Sequence, residues 1–270
     1  MAWPPLAEIK KTVVFLGKKS EKGESGLSAT GFLLSIHGIP HLTTAKHVVV
    51  RPETGESLDS DMLAYFNLKQ GGIGSRPIEE IKRDFGVRWI FHEDANVDIA
   101  MIPFGLNRDE DDVKTFPDNM FVALETLSEL YDIFFLSYQP GIEPQDRISP
   151  VLRTGTISLV NADYTFYIDA AAFPGNSGSP VFVKPSAVRF DEGGIRIGTD
   201  QLGGKFVGLV GEYLPYREVA ISAQTGRPRV VFEENTGLSR VWSTTRIMEI
   251  LKSESMEQQV QELRARKAGS

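Results

Sequence analysis

The chain carries four histidines, His37, His41, His47 and His92, and all of them precede the glycine-flanked serine of FPGNSGSPV (Phe173 to Val181). That order limits the folds open to it. Ser177 stands between Gly175 and Gly178, a setting in which backbone amides can face a developing oxyanion, so the segment points to acyl-transfer chemistry. A serine hydroxyl is a poor nucleophile until an imidazole takes its proton and a third group orients that imidazole. An α/β-hydrolase would place the histidine after the serine, and no histidine follows Ser177. Its GxSxG elbow also fails, because Ser179 occupies the last glycine position. The base must come from upstream, in a different fold.

His47 lies in HLTTAKHVV, a β-rich run from His41 to Thr44 that breaks into a short turn. The first aspartate of the chain is Asp59, so the order with His47 as base is His, Asp, Ser. Asp98, in NVDIAMIP, directly precedes an apolar run that reads as a strand whose start can hold the carboxylate. Asp94 lies in the same loop and is the alternative orienter. His37 and His41 flank the turn GIP and are expected to be exposed polar positions, and His92 in FHEDANVD is expected to cap its loop. Asp169, eight residues before Ser177, reads as a loop-capping or ladder-closing carboxylate, and Ser179 as a structural hydroxyl.

Short alternating or β-branched runs such as KTVVFLG, TGFLLSI, IFFLSY and KFVGLVGEY recur between turn signals, which indicates antiparallel barrels. With 270 residues, 41% of them hydrophobic, there is material for one large all-β core or two small barrels sharing an interface. The acidic segment RDEDDVKTFPDNM (Arg108 to Met120) reads as a solvated linker between them. A net charge of −7 and the lack of a basic stripe interleaved with aromatics exclude an extended nucleic-acid footprint. Cysteine is absent, so neither disulfides nor a CxxC metal site is available. No apolar window of membrane-spanning length occurs, and MAWPPLAEIKK lacks the signature of a signal peptide, so no membrane partner and a cytoplasmic location are expected. From Ser243 or Thr244, either able to act as N-cap, Ile247, Met248, Ile250, Leu251, Val260 and Leu263 recur near helical spacing. The polar last turns of that helix are expected either to fray or to contact a partner.

The three segments TAKHV, DIAMI and GNSGSP, in this order, resemble the trypsin-like (chymotrypsin-fold) serine peptidases, as a cysteine-free member of bacterial type. Their separations, 98 − 47 = 51 and 177 − 98 = 79 residues, suit that family, and GFLL, FLSYQPG, RTGTIS and GLSRVW resemble its strands. The resemblance implies an all-β fold of two antiparallel six-stranded Greek-key barrels with a C-terminal α-helix. Its parts would be a first barrel over 12–115, a second over 130–242 and a helix over 243–265 of a single domain spanning 1–270. It implies a serine endopeptidase acting on polypeptides through an acyl-enzyme, with no cofactor and no metal. His47 would be the base, Asp98 its orienter and Ser177 the nucleophile, with the amides of Gly175 and Ser177 as oxyanion hole. Ala171, Phe173, Val210 and Gly211 would border the substrate pocket. Position 171 is alanine where basic-specific relatives carry aspartate, and no histidine follows His92 to receive glutamate, so an apolar residue before the scissile bond is expected. Glu212, if turned inward, would invite a basic residue instead. Asn176 replaces the aspartate that pairs with a freed N-terminus in zymogen-regulated relatives, so activation by cleavage is not expected. The competing reading is a catalytically silent domain of the same fold that binds peptides or a protein; an esterase would share the triad.

Overall fold

The structure, a computed structural model, describes residues 5–19, 25–142, 144–191, 194–197 and 202–268. Helix α1 (Leu6–Lys10) leads into β1 (Val13–Lys19), β2 (Ser25–Ile36) and β3 (Ile39–Thr44). A single helical turn α2 (Lys46–Val49), β4 (Met62–Asn67), β5 (Ile73–Pro77), α3 (Ile78–Phe85), β6 (Ile90–Phe91) and β7 (Ala100–Pro103) complete the first lobe. The sheet order is β5-β4-β1-β2-β3-β7-β6, in which β4 returns beside β1 after three hairpin-linked strands, the Greek-key arrangement. The β2–β3 hairpin turns on His37 and Gly38, both at positive φ, the geometry a two-residue connection needs to follow the strand twist.

The second lobe is a closed barrel, β10-β11-β16-β15-β12-β9, formed by β9 (Asp132–Ser137), β10 (Val151–Val160), β11 (Thr165–Asp169), β12 (Pro180–Val183), β15 (Phe206–Ile221) and β16 (Pro228–Ser243). It too has a Greek key, since β12 returns beside β9. A side hairpin of β13 (Val188–Asp191) and β14 (Gly194–Ile197) stands apart from it. The all-β class and the six-stranded second barrel match the sequence reading. The first lobe differs in detail: it counts eight strands, including β8 (Phe116–Pro117) paired in parallel to β2, and its path ends at β5 and β6 without closing. Helix α3 explains this. It follows β5 directly, packs on β4 and β5 and buries Ile78 and Ile81 in one cluster with Val87 and Trp89, so the chain leaves the sheet at this edge.

The lobes join through phenylalanines. Phe32 of β2 packs against Phe206 of β15 with ring centroids 5.3 Å apart, and Phe116 of β8 lies 4.7 Å from Phe206 and 5.6 Å from Phe182 of β12. Aromatic pairs at such spacings add to the large apolar area each ring removes from water. The segment expected to be a solvated linker is therefore partly structural: β8 sits in this seam, and Asp111 is buried in an ion pair with Arg76 at 2.7 Å.

The C-terminal helix is two helices, α4 (Thr244–Leu251) and α5 (Glu254–Ala268). Ser253 makes the break: its hydroxyl donates to the Ile250 carbonyl at 2.7 Å and accepts from the Met256 amide at 3.3 Å, ending one helix and capping the next. Ser243 holds the N-cap position of α4 but its hydroxyl makes no capping bond, while the Thr244 hydroxyl donates to the Val122 carbonyl. The apolar face of this helix is turned to the chain itself. Met256, Val260 and Leu263 are buried against the chain's own core, and Gln259 exchanges two hydrogen bonds with the backbone of Arg88 in the first lobe. Among the described residues no helix is long and apolar enough to cross a membrane.

Candidate active site

Strand register brings His47 and Asp98 together. Thr44, the last residue of β3, pairs with Ala100, the first of β7. His47 lies three residues beyond that pair on one chain and Asp98 two residues before it on the other. Asp98 accepts twice from the histidine, from the backbone N–H at 2.8 Å (Oδ1) and from ring Nδ1 at 2.7 Å (Oδ2). A carboxylate can only accept, so this contact keeps a proton on Nδ1 and turns Nε2 outward as the basic nitrogen. Burial by itself would lower the His47 pKa; the hydrogen bond and charge of Asp98, with a smaller contribution from the Glu212 charge, outweigh it and raise the pKa above the ordinary imidazole value. Asp94 does not touch the imidazole. It lies exposed, accepting from the Asn96 amide and side chain in its own loop. His92 caps that loop by accepting from the Asp94 amide, and its other ring nitrogen meets Glu249 of α4 at 2.7 Å.

The Ser177 turn is docked on the same corner of the first lobe. Gly178, at φ +83°, leaves no room for a side chain: a Cβ there would collide with the Thr30 carbonyl oxygen and the Thr44 hydroxyl and approach the Ala45 nitrogen to 3.1 Å. The serine thus lies beside the residues that open α2, half-buried, with its carbonyl accepting from the Thr30 amide at 3.2 Å. Among the described residues neither the Ser177 hydroxyl nor His47 Nε2 takes part in a hydrogen bond, so the contact between them is open. The backbone N–H groups of Gly175 and Ser177 likewise donate to no described partner. Gly175 sits at φ +97°, and the two donors flank a turn pinned on every other side.

Sequence reading missed what does the pinning. Thr30, fully buried on β2, donates its hydroxyl to the Gly175 carbonyl at 2.7 Å, accepts from the Tyr138 amide at 2.9 Å and binds the Ser177 carbonyl with its own amide. Asn176, also fully buried, accepts from the Phe173 amide at 2.9 Å and donates to the Tyr138 carbonyl at 2.6 Å. Val210 closes the back, accepting from the Gly178 amide at 2.8 Å and donating to the Ser179 carbonyl at 2.9 Å. Nothing local marks these roles; a threonine in SATGF is an ordinary strand residue until tertiary packing brings Gly175 to it.

The expected pocket residues fall into two groups. Gly211 is buried, and a Cβ on it would come within 2.8 Å of the Trp242 indole nitrogen. Ala171 is half-buried and its carbonyl accepts from Arg153 at 3.3 Å. Phe173 is 40% exposed, with the Arg153 guanidinium 5.1 Å from its ring centre. Val210 is fully buried with Val181 and Val241 in the barrel core, so its backbone and not its side chain meets the Ser177 turn. Glu212 points outward, 3.7 Å from Arg240, which is already held by Asp163 and by the Trp242 ring. Three further positions differ from or extend the sequence reading. His41 is not exposed but fully buried, because β3 is a central strand covered on both faces. Ser179 is buried, its hydroxyl without a partner among the described residues, and Asp169 is an exposed carboxylate ending β11, opposite Leu238. Among the described residues no cluster of acidic or histidine side chains could hold a metal ion.

A search of curated proteins finds no significant match. Two solved structures superpose at a TM-score of 0.50 each: an HtrA-type protease, AlgW, with a decapeptide (14% identity, 92% of this chain) and a serine endoprotease from Yersinia pestis (13% identity, 93% of this chain). The chain spans 64% and 65% of the length of those two proteins, and at such identity the likeness speaks to fold. The family model of the trypsin-like peptidase domain matches residues 29–186, more than half of the chain and inclusive of His47, Asp98 and Ser177. With its two Greek-key lobes and the family model matched over more than half of its length, the chain belongs to the trypsin-like peptidase domain family.

Proposed function

We propose that the chain is a serine endopeptidase in which His47, Asp98 and Ser177 act as one unit. The observation that carries this reading is the double grip of Asp98 on His47, which fixes ring orientation and tautomer beside the docked Ser177 turn. Ser177 Oγ attacks the peptide carbonyl while His47 Nε2 takes the hydroxyl proton. The carbonyl oxygen, now an oxyanion, accepts from the free amides of Gly175 and Ser177. His47 then returns the proton to the leaving amine, and water repeats the sequence on the acyl-enzyme. The substrate is an extended polypeptide, in keeping with the decapeptide bound by the AlgW neighbour. The residue before the scissile bond is apolar, because Ala171 and Gly211 offer no charge and Glu212 faces outward.

The open contact between Ser177 and His47 favours one rival, a silent domain that holds polypeptides without cutting them, although such contacts often tighten only when substrate binds. Labelling with a fluorophosphonate separates the two. The proposal expects label on Ser177 and cleavage of denatured protein after apolar residues, both lost in Ser177→Ala; binding of the same substrate with no label and no cleavage would establish the rival.

A further inference from the structure

Strands β15 and β16 outrun the barrel. β12 holds β15 only over Phe206–Leu209, and β11 holds β16 only over Leu238–Trp242. From Leu214 to Ile221 and from Pro228 to Glu234 the two strands continue as a ribbon with no third strand among the described residues. Arg217 pairs with Glu233, Glu218 with Phe232, Val219 with Val231 and Ala220 with Val230. Alternation therefore puts Val219, Ile221 and Val231 on one face and Tyr216, Val230 and Phe232 on the other. All six are between 45% and 64% exposed. A two-stranded ribbon is marginal in water by itself, and one that is apolar on both faces with free edges is a template for another strand.

The outer edge of β16 indicates which strand fits it. Residues 227–234 read Arg-Pro-Arg-Val-Val-Phe-Glu-Glu, a basic end, an apolar middle and an acidic end. Laid antiparallel on a second copy of itself, with Val231 opposite Val231, this segment sets Arg229 against Glu233 and Val230 against Phe232. A parallel arrangement would set like charge on like charge. Arg227, Arg229 and Glu234 make no ion pair among the described residues, and Glu233 is already held in place by Arg217 at 2.8 Å and the Tyr213 hydroxyl at 2.5 Å. Pro228, which has no N–H to give, falls opposite Glu234 at the end of the ladder, where a missing bond costs least. We propose that two copies of this chain dimerise about a two-fold axis through the exposed edges of β16, joining two ribbons into one four-stranded antiparallel sheet.

The test uses the full chain and reads mass. In light scattering coupled to size exclusion at micromolar concentration, the wild type is expected at twice 29.9 kDa. Reversing the basic end (Arg227→Glu with Arg229→Glu) or the acidic end (Glu233→Lys with Glu234→Lys) puts like charges together at both ends and is expected to weaken the dimer at least about 100-fold. Mixing the two variants restores opposite charges at both ends and is expected to return the dimer mass, which misfolded variants would not do. A monomeric wild type, a dimer indifferent to both reversals, or variants whose unmixed far-UV spectra are native and whose mixture stays monomeric would each overturn the proposal. A wild-type monomer that instead uses the ribbon to bind lipid vesicles or an unfolded polypeptide would do so too.

Discussion

Replacing His41 tests how the interior of the first lobe is built. Its ring is fully buried, with Nδ1 2.9 Å from the Ile39 carbonyl and Nε2 without a partner among the described residues. Desolvation is the main cause that lowers its pKa, from 6.5 to about 4; the bond to Ile39 opposes the shift and the nearby His37 adds to it. A histidine lowered in the folded state binds its proton more readily once unfolded. Its neutral form therefore supports the fold fully above pH 6.5, and that support drains away as pH falls from 6.5 toward 4. With a shift of 6.5 − 4 = 2.5 units at about 1.4 kcal/mol per unit, the loss attributable to this group is about 3 kcal/mol by pH 4. His41→Asn keeps an N–H donor near Ile39 and removes the titration. Urea unfolding of both proteins from pH 7.5 to 4 is expected to show the wild type losing about 3 kcal/mol more than the variant. Parallel pH dependences would refute the buried, neutral histidine.

Four other outcomes are expected. Asp98→Asn is expected to reduce peptide hydrolysis by orders of magnitude and Asp94→Asn to leave it nearly unchanged, with kcat measured on one apolar peptide; the reverse would reassign the orienter. Because His47 must be neutral to act and its pKa is raised, the acid limb of kcat/KM is expected above the ordinary imidazole value, moving to lower pH in Glu212→Gln as one raising charge is removed. Thr30→Val, nearly equal in volume, removes the hydroxyl that donates to the Gly175 carbonyl and accepts from the Tyr138 amide; a slower rate of fluorophosphonate labelling is expected, restored by Thr30→Ser. Since Asn176 is already bound on both sides by neutral partners, a short extension before Met1 is expected to leave activity on small peptides intact, and a large loss would show that a free N-terminus matters.

What could be read from the chain alone was whatever depends on residue type and order. The four upstream histidines and the serine of GNSGSP excluded one hydrolase architecture and named His47, Asp98 and Ser177, and alternating apolar runs announced antiparallel barrels. Asp98 could be preferred to Asp94 because it directly precedes an apolar run that reads as a strand, and the approach to a strand is where a loop becomes rigid.

Only the tertiary structure decided the matters that depend on what covers a residue. His41 looked like a turn neighbour, but four consecutive residues of β3, His41 to Thr44, are fully buried, so packing closes both faces of that strand to water. Asp111 looked solvated until the fold delivered Arg76, thirty-five positions earlier, to its carboxylate. Thr30 and Gly175 are separated by 145 positions and meet only when two lobes close on each other, a coincidence no local pattern encodes. The C-terminal apolar stripe read correctly as helical, but whether it faced its own core or another molecule was set by the path of α5 back across the first lobe. Periodicity reports which side of an element is apolar. The identity of what that side meets is a property of the folded chain, because it is fixed by long-range packing and not by neighbours in sequence.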